Sequence, residues 1–563
     1  MKKFFLPVLF FLLIFVQFAF YKAKNFVITE INNTISGIKI IGLQNDFNPC
    51  FLSDSLFNLS NQMMCIDTII EVTTNTPVGR GNINEGIVAA NVITIGTGNP
   101  LELTSLTFSL DGTTDISDIK QININLSFNS TRTSNSLLLK SLKPQKKDIT
   151  IICNHSLHEG NNFIWVSADL QSTAKEGNYL AGKISSVTID KIDYPVTPSA
   201  EKSNRLIFLE HKLLFSGGDY GSANFRIPAL TTANDGSLIV AVDARVDRTG
   251  DLPNNIDIMY RRSFDQGNSW SDASVICDFG MYGASDPALV VDKKSGVILC
   301  MFASHIGLFH STFDNPIRFQ VCRSEDNGVS WSKPVDHTNS IYAPGWYAAW
   351  LASGSAHQLR NGRIVGAIGV RQEADYTISN FMIYSDDVGL TWNYKSSQAS
   401  AIGDEAKIME LDNGNLIMNI RNKTPNCRKI VVSEDGGDTW GAPFFQHELI
   451  DPAVNADFIR YTSVLDGYDK SRLLFSTASH PTTRKNLTLF MSYDEGVTWP
   501  VSKVIYEGLS GYSSLTILND GTIGCAYENG EFEEYQIYFV RLSLDWLTDG
   551  KDSYQRPNDI LRK

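Results

Sequence analysis

The stretch SEDNGVSW at residues 324–331 decides the fold of this chain, because the sequence contains it in five variants. All five follow the pattern Ser-x-Asp-x-Gly-x-Ser/Thr-Trp, and we call them Asp boxes. The other four are SFDQGNSW at 263–270, SDDVGLTW at 385–392, SEDGGDTW at 433–440 and SYDEGVTW at 492–499. Asp bonds to local backbone and Gly adopts positive φ freely, so each box predicts a tight turn anchored by its Trp. We therefore interpret the five carboxylates as structural.

The spacing of the Asp boxes predicts the architecture around them. Successive boxes begin 61, 61, 48 and 59 residues apart, and each follows a β-rich run such as IDIMYRR or FQVCR. A four-stranded propeller blade with generous loops needs about 50 to 60 residues. Residues 205–548 are therefore predicted to form a six-bladed β-propeller. Its sixth blade lacks a clear box, and its last strand, EYQIYFVRLSL, is expected to close the ring against the first blade.

The region before the boxes has a different β pattern. Between residues 25 and 200, runs such as NVITIGTG and DIKQININLSF alternate apolar and polar residues, as strands with one buried face do. This pattern predicts a β-sandwich-like accessory domain, either carbohydrate-binding or a spacer, and the whole chain is predicted to be all-β. The segment 192–204, which contains two prolines, is predicted to be a linker, and 549–563 a C-terminal tail.

The N-terminus predicts export. Lys2 and Lys3 precede a largely apolar run from Phe4 to Phe20, which is the form of a secretory signal. Residues 1–24 are therefore expected to be a signal peptide or an uncleaved membrane anchor, which would be the only link to a membrane. A periplasmic, cell-surface or secreted protein follows, in which Cys50 and Cys65 are candidates to pair.

Charge and cysteine spacing exclude several classes of function. The formal net charge of −13 argues against a nucleic-acid partner, since binding phosphates requires a surplus of Lys and Arg. The eight cysteines lie far apart without metal-ligand spacing, so neither a zinc site nor any other metal is expected. A few clustered arginines can still form a local anion site in an acidic protein.

A second set of residues lies between the Asp boxes, and the scaffold does not require it. Its members are Arg226 in NFRIPAL, Arg245 and Asp251 in DARVDRTGDLP, Asp286 in GASDPAL, Glu405 and Arg421 in GDEAKIMELDNGNLIMNIR, Arg484 in TTRKNL, and Tyr512 and Glu528 in GYSSLTILNDGTIGCAYENG. At these residues the chain resembles the bacterial sialidase (neuraminidase) family, from about residue 210 to 545. The N-terminal part resembles the accessory domain of some of its members.

The resemblance implies an exo-α-sialidase, which removes terminal sialic acid from glycoproteins, gangliosides and sialyl-oligosaccharides. By this resemblance Arg226, Arg421 and Arg484 clamp the carboxylate of sialic acid. Such a clamp is chemically reasonable, because the guanidinium fork binds a planar anion through paired charge-assisted hydrogen bonds. Glu528 matches the acid that pairs with the first arginine. No organic cofactor is implied, and the source is expected to be bacterial.

The same resemblance assigns the catalytic residues. Tyr512 is the expected nucleophile, Glu405 its base and Asp251 the acid that protonates the leaving oxygen. A neutral phenol avoids the repulsion that a carboxylate would meet at a carbon already bearing a carboxylate. The loop around Asp251 is expected to be shielded from water, which would favour a raised carboxylate pKa. Two attacks at one carbon, through a sialyl-tyrosine intermediate, would retain its configuration.

Further matches to the family are less direct, and other functions stay open. Arg245 and Asp286 correspond to residues around the substrate's carboxylate and its 4-hydroxyl. The aromatic residues of PGWYAAW are candidates for an apolar platform under the acetamido or aglycone group; they are Trp346, Tyr347 and Trp350. A trans-sialidase, including one that forms a 2,7-anhydro product, is the nearest alternative. A non-catalytic sialic-acid-binding propeller and a propeller that binds proteins or other glycans are the others.

Overall fold

The computed structural model describes residues 62–128, 136–372 and 376–557, and it is all-β, as predicted. These residues belong to one unit, Asn58–Lys563. Helices are few and short: α1 is Thr338–Ile341 and α2 is Leu544–Thr548, with 3₁₀ turns at Ile116–Asp118, Asp219–Gly221, Gly280–Tyr282 and Val464–Asp466. None of the helices in the described ranges is long and apolar enough to cross a membrane. The predicted signal or anchor lies outside these ranges.

The first twelve strands form the N-terminal sheets. They are β1 Cys65–Thr73, β2 Val78–Gly79, β3 Glu85–Ile95, β4 Glu102–Ser109, β5 Ile119–Ser127, β6 Leu137–Leu142, β7 Asp148–Ser156, β8 Gly160–Leu170, β9 Tyr179–Leu180, β10 Lys183–Ile189, β11 Ile192–Pro195 and β12 Arg205–Phe208. One sheet has the order β1-β3-β8-β5-β6 and another β11-β10-β4-β7. Alternate residues of both sheets, among them Val92, Leu106, Ile124 and Val166, are buried in one hydrophobic cluster.

The segment predicted to be a linker is partly sheet. Its first four residues form β11, which pairs with β10 at the edge of the four-stranded sheet. The proline at the end of this strand is compatible with an edge position, where a missing N–H breaks no ladder. A few residues later β12 pairs with both β2 and β9. The chain is therefore part of the N-terminal sheets up to Phe208 before it continues into the next set of strands.

The other twenty-five strands within the described ranges form the C-terminal sheets. They are β13 Glu210–Phe215, β14 Asn224–Thr232, β15 Leu238–Arg245, β16 Ile256–Ser263, β17 Ser274–Cys277, β18 Ala284–Val291, β19 Ile298–Ser304, β20 Arg318–Ser324, β21 Val335–Asp336, β22 Ala348–Leu351, β23 Gly354–Ser355, β24 His357–Gln358, β25 Ile364–Arg371, β26 Ser379–Ser385, β27 Asn393–Tyr394, β28 Ala406–Glu410, β29 Leu416–Ile420, β30 Cys427–Ser433, β31 Phe444–Ile450, β32 Asp457–Thr462, β33 Arg472–Ala478, β34 Lys485–Ser492, β35 Val501–Ile517, β36 Ile523–Asn529 and β37 Gln536–Leu542.

These strands are grouped into units that follow one another along the chain, and their pairs are antiparallel except for β18 with β23. Four sheets contain β14 to β17, β18 to β21 with β23, β22 with β24 to β27, and β28 to β31. A seven-stranded sheet holds two further units, because the long strand β35 pairs with β34 through residues 501–509 and with β36 through residues 510–517. The last strand, β37, pairs with β13, which precedes the first unit. Strand β37 therefore lies in the seven-stranded sheet, between β13 and β36, rather than joining β14 to β17.

The Asp boxes form the turns that their sequences predict. In the box at 324–331 the amide of Gly328 donates to Ser324 Oγ at 2.8 Å, and the amide of Ser330 donates to Asp326 Oδ1 at 2.9 Å. Gly328 has a φ of 80°, in the region that favours glycine. Burial acts to raise the pKa of Asp326, but hydrogen bonds from Ser330 outweigh it and lower this pKa to about 2. The structural interpretation of these carboxylates is confirmed.

Side-chain hydrogen bonds join the first strands of different units. Ser514 of β35 accepts the amide of Leu230 in β14 at 3.0 Å. Asp457 at the start of β32 accepts the amide of Leu515 in β35 at 2.6 Å. Asp457 also accepts the hydroxyl of Ser355 in β23 at 2.5 Å. Because these strands are tied to one another, residues at their ends and in the following loops are brought to one place.

Candidate active site

A cavity of about 750 Å³ lies where these strands meet. Seven of the nine sequence-predicted site residues line it: Arg226, Asp251, Asp286, Glu405, Arg421, Arg484 and Tyr512. They come from three strands, β14, β18 and β35, and from the loops beside β15, β28, β29 and β34. The other two, Arg245 and Glu528, contact members of this set from behind the cavity wall. The structure therefore brings all nine together.

A buried carboxylate fixes the first arginine. Glu528 accepts Arg226 Nε at 2.8 Å and Nη2 at 3.0 Å. Glu528 also accepts the backbone amides of Ile227 and Tyr512, both at 2.8 Å. Burial acts to raise the pKa of Glu528, but the charge of Arg226 and these hydrogen bonds lower it overall. Gly511 leaves room for this arrangement, since a Cβ there would lie 2.0 Å from Glu528 Oε2.

Two residues on the cavity wall have an unusual backbone conformation. Ile227 and Asp286 each precede a proline, and their φ angles are 59° and 62°. Each lies at a register shift, one in β14 and one in β18. A β-branched residue rarely adopts positive φ, and such strain persists only where the surroundings enforce it. Here Glu528 accepts the amide of Ile227, and Asp243 accepts that of Asp286 at 2.9 Å.

The candidate nucleophile is hydrogen-bonded to its candidate base. The Tyr512 hydroxyl donates to Glu405 Oε2 at 2.8 Å, and Arg421 Nη1 donates to the same hydroxyl at 3.1 Å. Arg421 also donates to Glu405. Burial, followed by the charge of Glu405, raises the pKa of Tyr512 well above its usual value, although Arg421, Arg484 and Arg226 oppose the shift. The phenol is therefore neutral at rest, and the arginines only reduce the cost of ionising it.

Glu405 is itself shifted in the direction expected of a base in a buried site. Burial raises its pKa, Arg421 lowers it, and the neighbouring carboxylate of Asp404 raises it again. Asp404 lies 3.5 Å from Arg421 Nε, so two carboxylates share this arginine. A glutamate with a raised pKa is a stronger proton acceptor than an ordinary one when it is ionised.

The third arginine, Arg484, forms no ion pair among the residues that the structure describes. Arg484 lies with Cζ 5.6 Å from the centre of the Tyr512 ring, and its Nη2 donates to the carbonyl of Ala453 at 3.3 Å. Within residues 62–128, 136–372 and 376–557, no carboxylate pairs with it, whereas Arg226 and Arg421 each have an acidic partner. The cavity therefore has a positive charge available for an anionic ligand.

The candidate acid is exposed. The Asp251 side chain is 83% exposed, so the expectation of a loop that shields it from water is wrong for this structure. Arg245 Nη2 donates to Asp251 Oδ1 at 2.6 Å and lies 3.5 Å from Asp243. Arg245 is only 2% exposed and does not line the cavity. Its observed contacts, with Asp243 and Asp251, hold Asp251 in place.

The remaining wall is partly apolar. Of the three residues in the predicted aromatic platform, Trp350 lines the cavity with Leu252 and Ile317. Trp346 instead packs in the interior, with its ring centre 4.7 Å from that of Phe381. Burial, with the negative charge of Asp243, raises the pKa of Asp286 well above its usual value, so this wall carries a carboxyl that is easily protonated. Tyr347 is absent from the wall.

Sequence reasoning missed several residues of the cavity. Arg248, Asp404 and Lys423 line it, and each lies within a few residues of a predicted site residue. Their proximity in the chain was the only available signal, because a charged residue in a loop is usually solvated. Arg248 is held by the backbone of its own loop, donating to the Pro253 carbonyl at 2.6 Å.

These residues define an all-β protein with an arginine-lined cavity and a tyrosine–glutamate pair suited to nucleophilic catalysis. A family model described as "BNR repeat-like domain" matches residues 236–525, and the chain belongs to this family. No group of three or more potential metal ligands occurs among the residues that the structure describes.

Similar proteins are sialidases. The sialidase of Micromonospora viridifaciens is 36% identical over 380 residues, which is 63% of this chain and 56% of that protein. The sialidase of Bacteroides fragilis is 26% identical over 407 residues, or 67% of this chain and 72% of that protein. Among solved structures, the Hadza microbial sialidase Hz136 is similar with a TM-score of 0.66 and 25% identity, over 85% of this chain and 99% of that one. The chain thus spans little more than half the length of the Micromonospora relative.

Proposed function

We propose that the protein is an exo-α-sialidase that releases terminal sialic acid from glycoproteins, gangliosides and sialyl-oligosaccharides. The observation that carries the proposal is the environment of Tyr512. Its hydroxyl donates to Glu405 at 2.8 Å and accepts from Arg421, and the guanidinium carbons of Arg226 and Arg484 lie 5.5 and 5.6 Å from the centre of its ring. A planar carboxylate is the ligand that converging guanidinium groups bind best. The sialidase names of the similar proteins support the same assignment.

The proposed scaffold is a six-bladed β-propeller at about 205–548, following an accessory domain at about 25–200. The six antiparallel units and the pairing of β37 with β13 support it, because a propeller commonly joins its last blade with a strand from the start of the domain. We also propose export directed by residues 1–24.

The first half of the proposed reaction forms a covalent intermediate. The Tyr512 oxygen attacks the anomeric carbon while its proton passes to Glu405. The bond to the leaving oxygen breaks, and Asp251 donates a proton to that oxygen. The exposed position of Asp251 suits an acid that must reach an aglycone extending out of the cavity. Arg226, Arg421 and Arg484 hold the substrate carboxylate, and Arg421 also stabilises charge on the phenol oxygen.

The second half reverses the roles of the same groups. Asp251, now ionised, accepts a proton from water as the water oxygen attacks the anomeric carbon. The bond to the Tyr512 oxygen breaks, and Glu405 returns its proton to the phenol. Two displacements at one carbon give sialic acid with the original α configuration. No metal or organic cofactor takes part in this scheme.

The reaction is tested by its first product. Purified protein is incubated with α2,3-sialyllactose and, separately, α2,6-sialyllactose, and the C3 methylene protons, which differ between the two anomers of free sialic acid, are followed by NMR from the first minute. We expect free α-sialic acid to appear before the β-anomer, which forms later by mutarotation. Early β-sialic acid would contradict retention.

Other products would change the proposal in defined ways. A 2,7-anhydro product, or sialic acid transferred to added lactose, would identify a trans-sialidase. Absence of turnover on both linkages, with sialic acid still binding in calorimetry, would leave a non-catalytic sialic-acid-binding protein. Absence of both turnover and binding would overturn the assignment.

The pH dependence of the reaction tests Glu405 as the base. Its raised pKa means that activity is present above this pKa and is lost as the pH falls through it, at a higher pH than for an ordinary glutamate. Asp404→Asn removes one negative charge that raises this pKa. The acidic limb of kcat/KM is therefore expected to move to lower pH in Asp404→Asn, measured from about pH 3.5 to 8. A limb that stays in place or moves to higher pH would contradict Glu405 as the titrating base.

A further inference from the structure

The segment from the last residue of β36 to the first residue of β37, residues 529–536, connects the N-terminal sheets to the candidate carboxylate clamp, and we call it the 529–536 loop. This loop begins directly after Glu528, the partner of Arg226. It carries Tyr535, whose ring centre lies 4.6 Å from the Arg226 guanidinium carbon. Neither Tyr535 nor any other residue of the loop lines the cavity. The loop therefore contacts the site through Arg226 without lining the cavity.

Tyr535 restrains the plane of the Arg226 guanidinium group, which Glu528 contacts only along one edge. Glu528 accepts Nε and Nη2, which fixes one edge of the guanidinium group. The Tyr535 ring packs against its face, a cation–π geometry that holds the plane of the group. Together the two contacts leave Nη1 and the second N–H of Nη2 for a ligand. Because a bidentate carboxylate contact requires the correct plane, losing the ring should weaken binding of the carboxylate.

The N-terminal sheets hold this loop. Glu531 Oε1 accepts the amide of Asn75 at 2.9 Å, and Glu531 Oε2 accepts the amide of Thr76 at 2.9 Å. The hydroxyl of Thr76 also donates to Glu531, and it accepts Asn529 Nδ2 at 2.9 Å. Residues 75 and 76 lie between β1 and β2. They are thus bonded to both ends of the segment from 529 to 531, just before the position of Tyr535.

We propose that Tyr535 is a positioning residue for Arg226 and that Glu531, held by residues 75 and 76, keeps Tyr535 in place. The N-terminal sheets then contribute to substrate affinity without contacting substrate. This inference rests on the proposed sialidase function, because it names how the arginine that binds the substrate carboxylate is oriented. The opposing view is that the contacts of Glu531 only attach the N-terminal sheets to the rest of the protein.

The test measures KM and kcat separately in variants of the full-length protein. Tyr535→Leu is expected to raise KM for a 4-methylumbelliferyl sialoside about 5- to 20-fold while kcat changes less than twofold, given the usual strength of a cation–π contact. Tyr535→Phe, which keeps the ring, is expected to retain the wild-type KM. Glu531→Gln should raise KM in the same direction, since an amide cannot accept both backbone N–H groups as a carboxylate does.

Glu176→Gln is the matched control. Glu176 joins the N-terminal sheets to the C-terminal segment in the same way, accepting the amide of Ser543 at 3.0 Å and its hydroxyl at 2.6 Å. Its bonds do not involve the 529–536 loop. Glu176→Gln is therefore expected to change thermal stability about as much as Glu531→Gln but to leave KM unchanged.

The possible results decide between the two views. A wild-type KM in both Tyr535→Leu and Glu531→Gln would overturn the positioning role. A KM raised equally in Glu176→Gln would also overturn it, because attachment of the sheets would then be the cause. If the wild-type protein does not turn over the substrate, the proposed function has failed, and the same variants are compared by the Kd for free sialic acid. Tyr535→Phe and Glu531→Gln change few atoms, so they give a result even if Tyr535→Leu does not fold.

Discussion

Tyr512→Phe is expected to lower kcat/KM for α2,3-sialyllactose by about 10³-fold or more, a loss typical of removing a covalent nucleophile. The variant removes one oxygen, which in the structure donates to Glu405 at 2.8 Å and accepts from Arg421 at 3.1 Å. Without this oxygen no bond to the anomeric carbon can form, although the three arginines remain. Binding should therefore persist while the chemistry is lost, so the Kd for sialic acid should change far less than kcat.

Two measurements keep this prediction specific. Thermal unfolding should show that Tyr512→Phe is folded, since Glu405 retains its contact with Arg421. Tyr461→Phe is the matched control, because its hydroxyl is also buried, donates to the Gly521 carbonyl at 2.7 Å and lies away from the cavity. Full activity is expected in that variant. Residual hydrolysis by Tyr512→Phe within tenfold of wild type would mean that another group attacks the sugar or that water attacks directly.

The sequence predicts local structure well where one short segment contains its own hydrogen-bond partners. An Asp box does so within eight residues: in the box at 263–270, Asp265 accepts the amide of Ser269, and Ser263 accepts that of Gly267. Such turns form whatever surrounds them. The alternating runs of the N-terminal sheets are similarly local, because the period of two depends only on which face is buried. The resemblance to the sialidase family then supplied the long-range grouping.

The details that the sequence could not predict depend on loop conformation and on distant contacts. The role of Arg245 in holding Asp251 follows from the path of residues 246–255, and the same path leaves the Asp251 carboxylate exposed. The contact between Glu531 and Asn75 joins residues separated by 456 positions. No spacing rule connects such residues. The same limit applies to Trp346 and Trp350, which are four residues apart, one packed in the interior and one on the cavity wall.

The electrostatics of the site also required the structure. Three arginines near a tyrosine suggest a lowered phenol pKa, yet burial and the charge of Glu405 raise it overall. A resting phenolate would repel the substrate carboxylate at short range. A neutral phenol that loses its proton only during attack avoids this repulsion and still has Arg421 at 3.1 Å to stabilise the developing charge. The net direction of the shift is thus compatible with binding an anion first and reacting afterwards.

Arg484→Met is expected to lower kcat/KM about 10²- to 10³-fold with little change in thermal stability, based on the usual strength of hydrogen bonds between charged groups. Arg484 has no acidic partner within the described ranges, so its removal leaves no buried carboxylate unpaired. Arg226→Met should differ, because Glu528 would then be a buried charge without its partner and stability would fall as well. Comparing the two variants thus distinguishes a loss of substrate affinity alone from a loss that also includes stability.

The nature of the ligand can be read from the same variant. If Arg484 binds the sialic acid carboxylate, the loss of kcat/KM relative to wild type should be large for α2,3-sialyllactose and small for the methyl ester of the same compound, which carries no charge at that position. Arg261→Met is the matched control: Arg261 also lies over an aromatic ring, with Cζ 5.0 Å from the centre of Phe215, but outside the cavity. The Arg261→Met variant should have the wild-type kcat/KM for both the sialoside and its methyl ester. An equal loss for acid and ester in Arg484→Met would show that this arginine supports the fold of the site rather than the carboxylate, and the three-arginine clamp would have to be reduced to two.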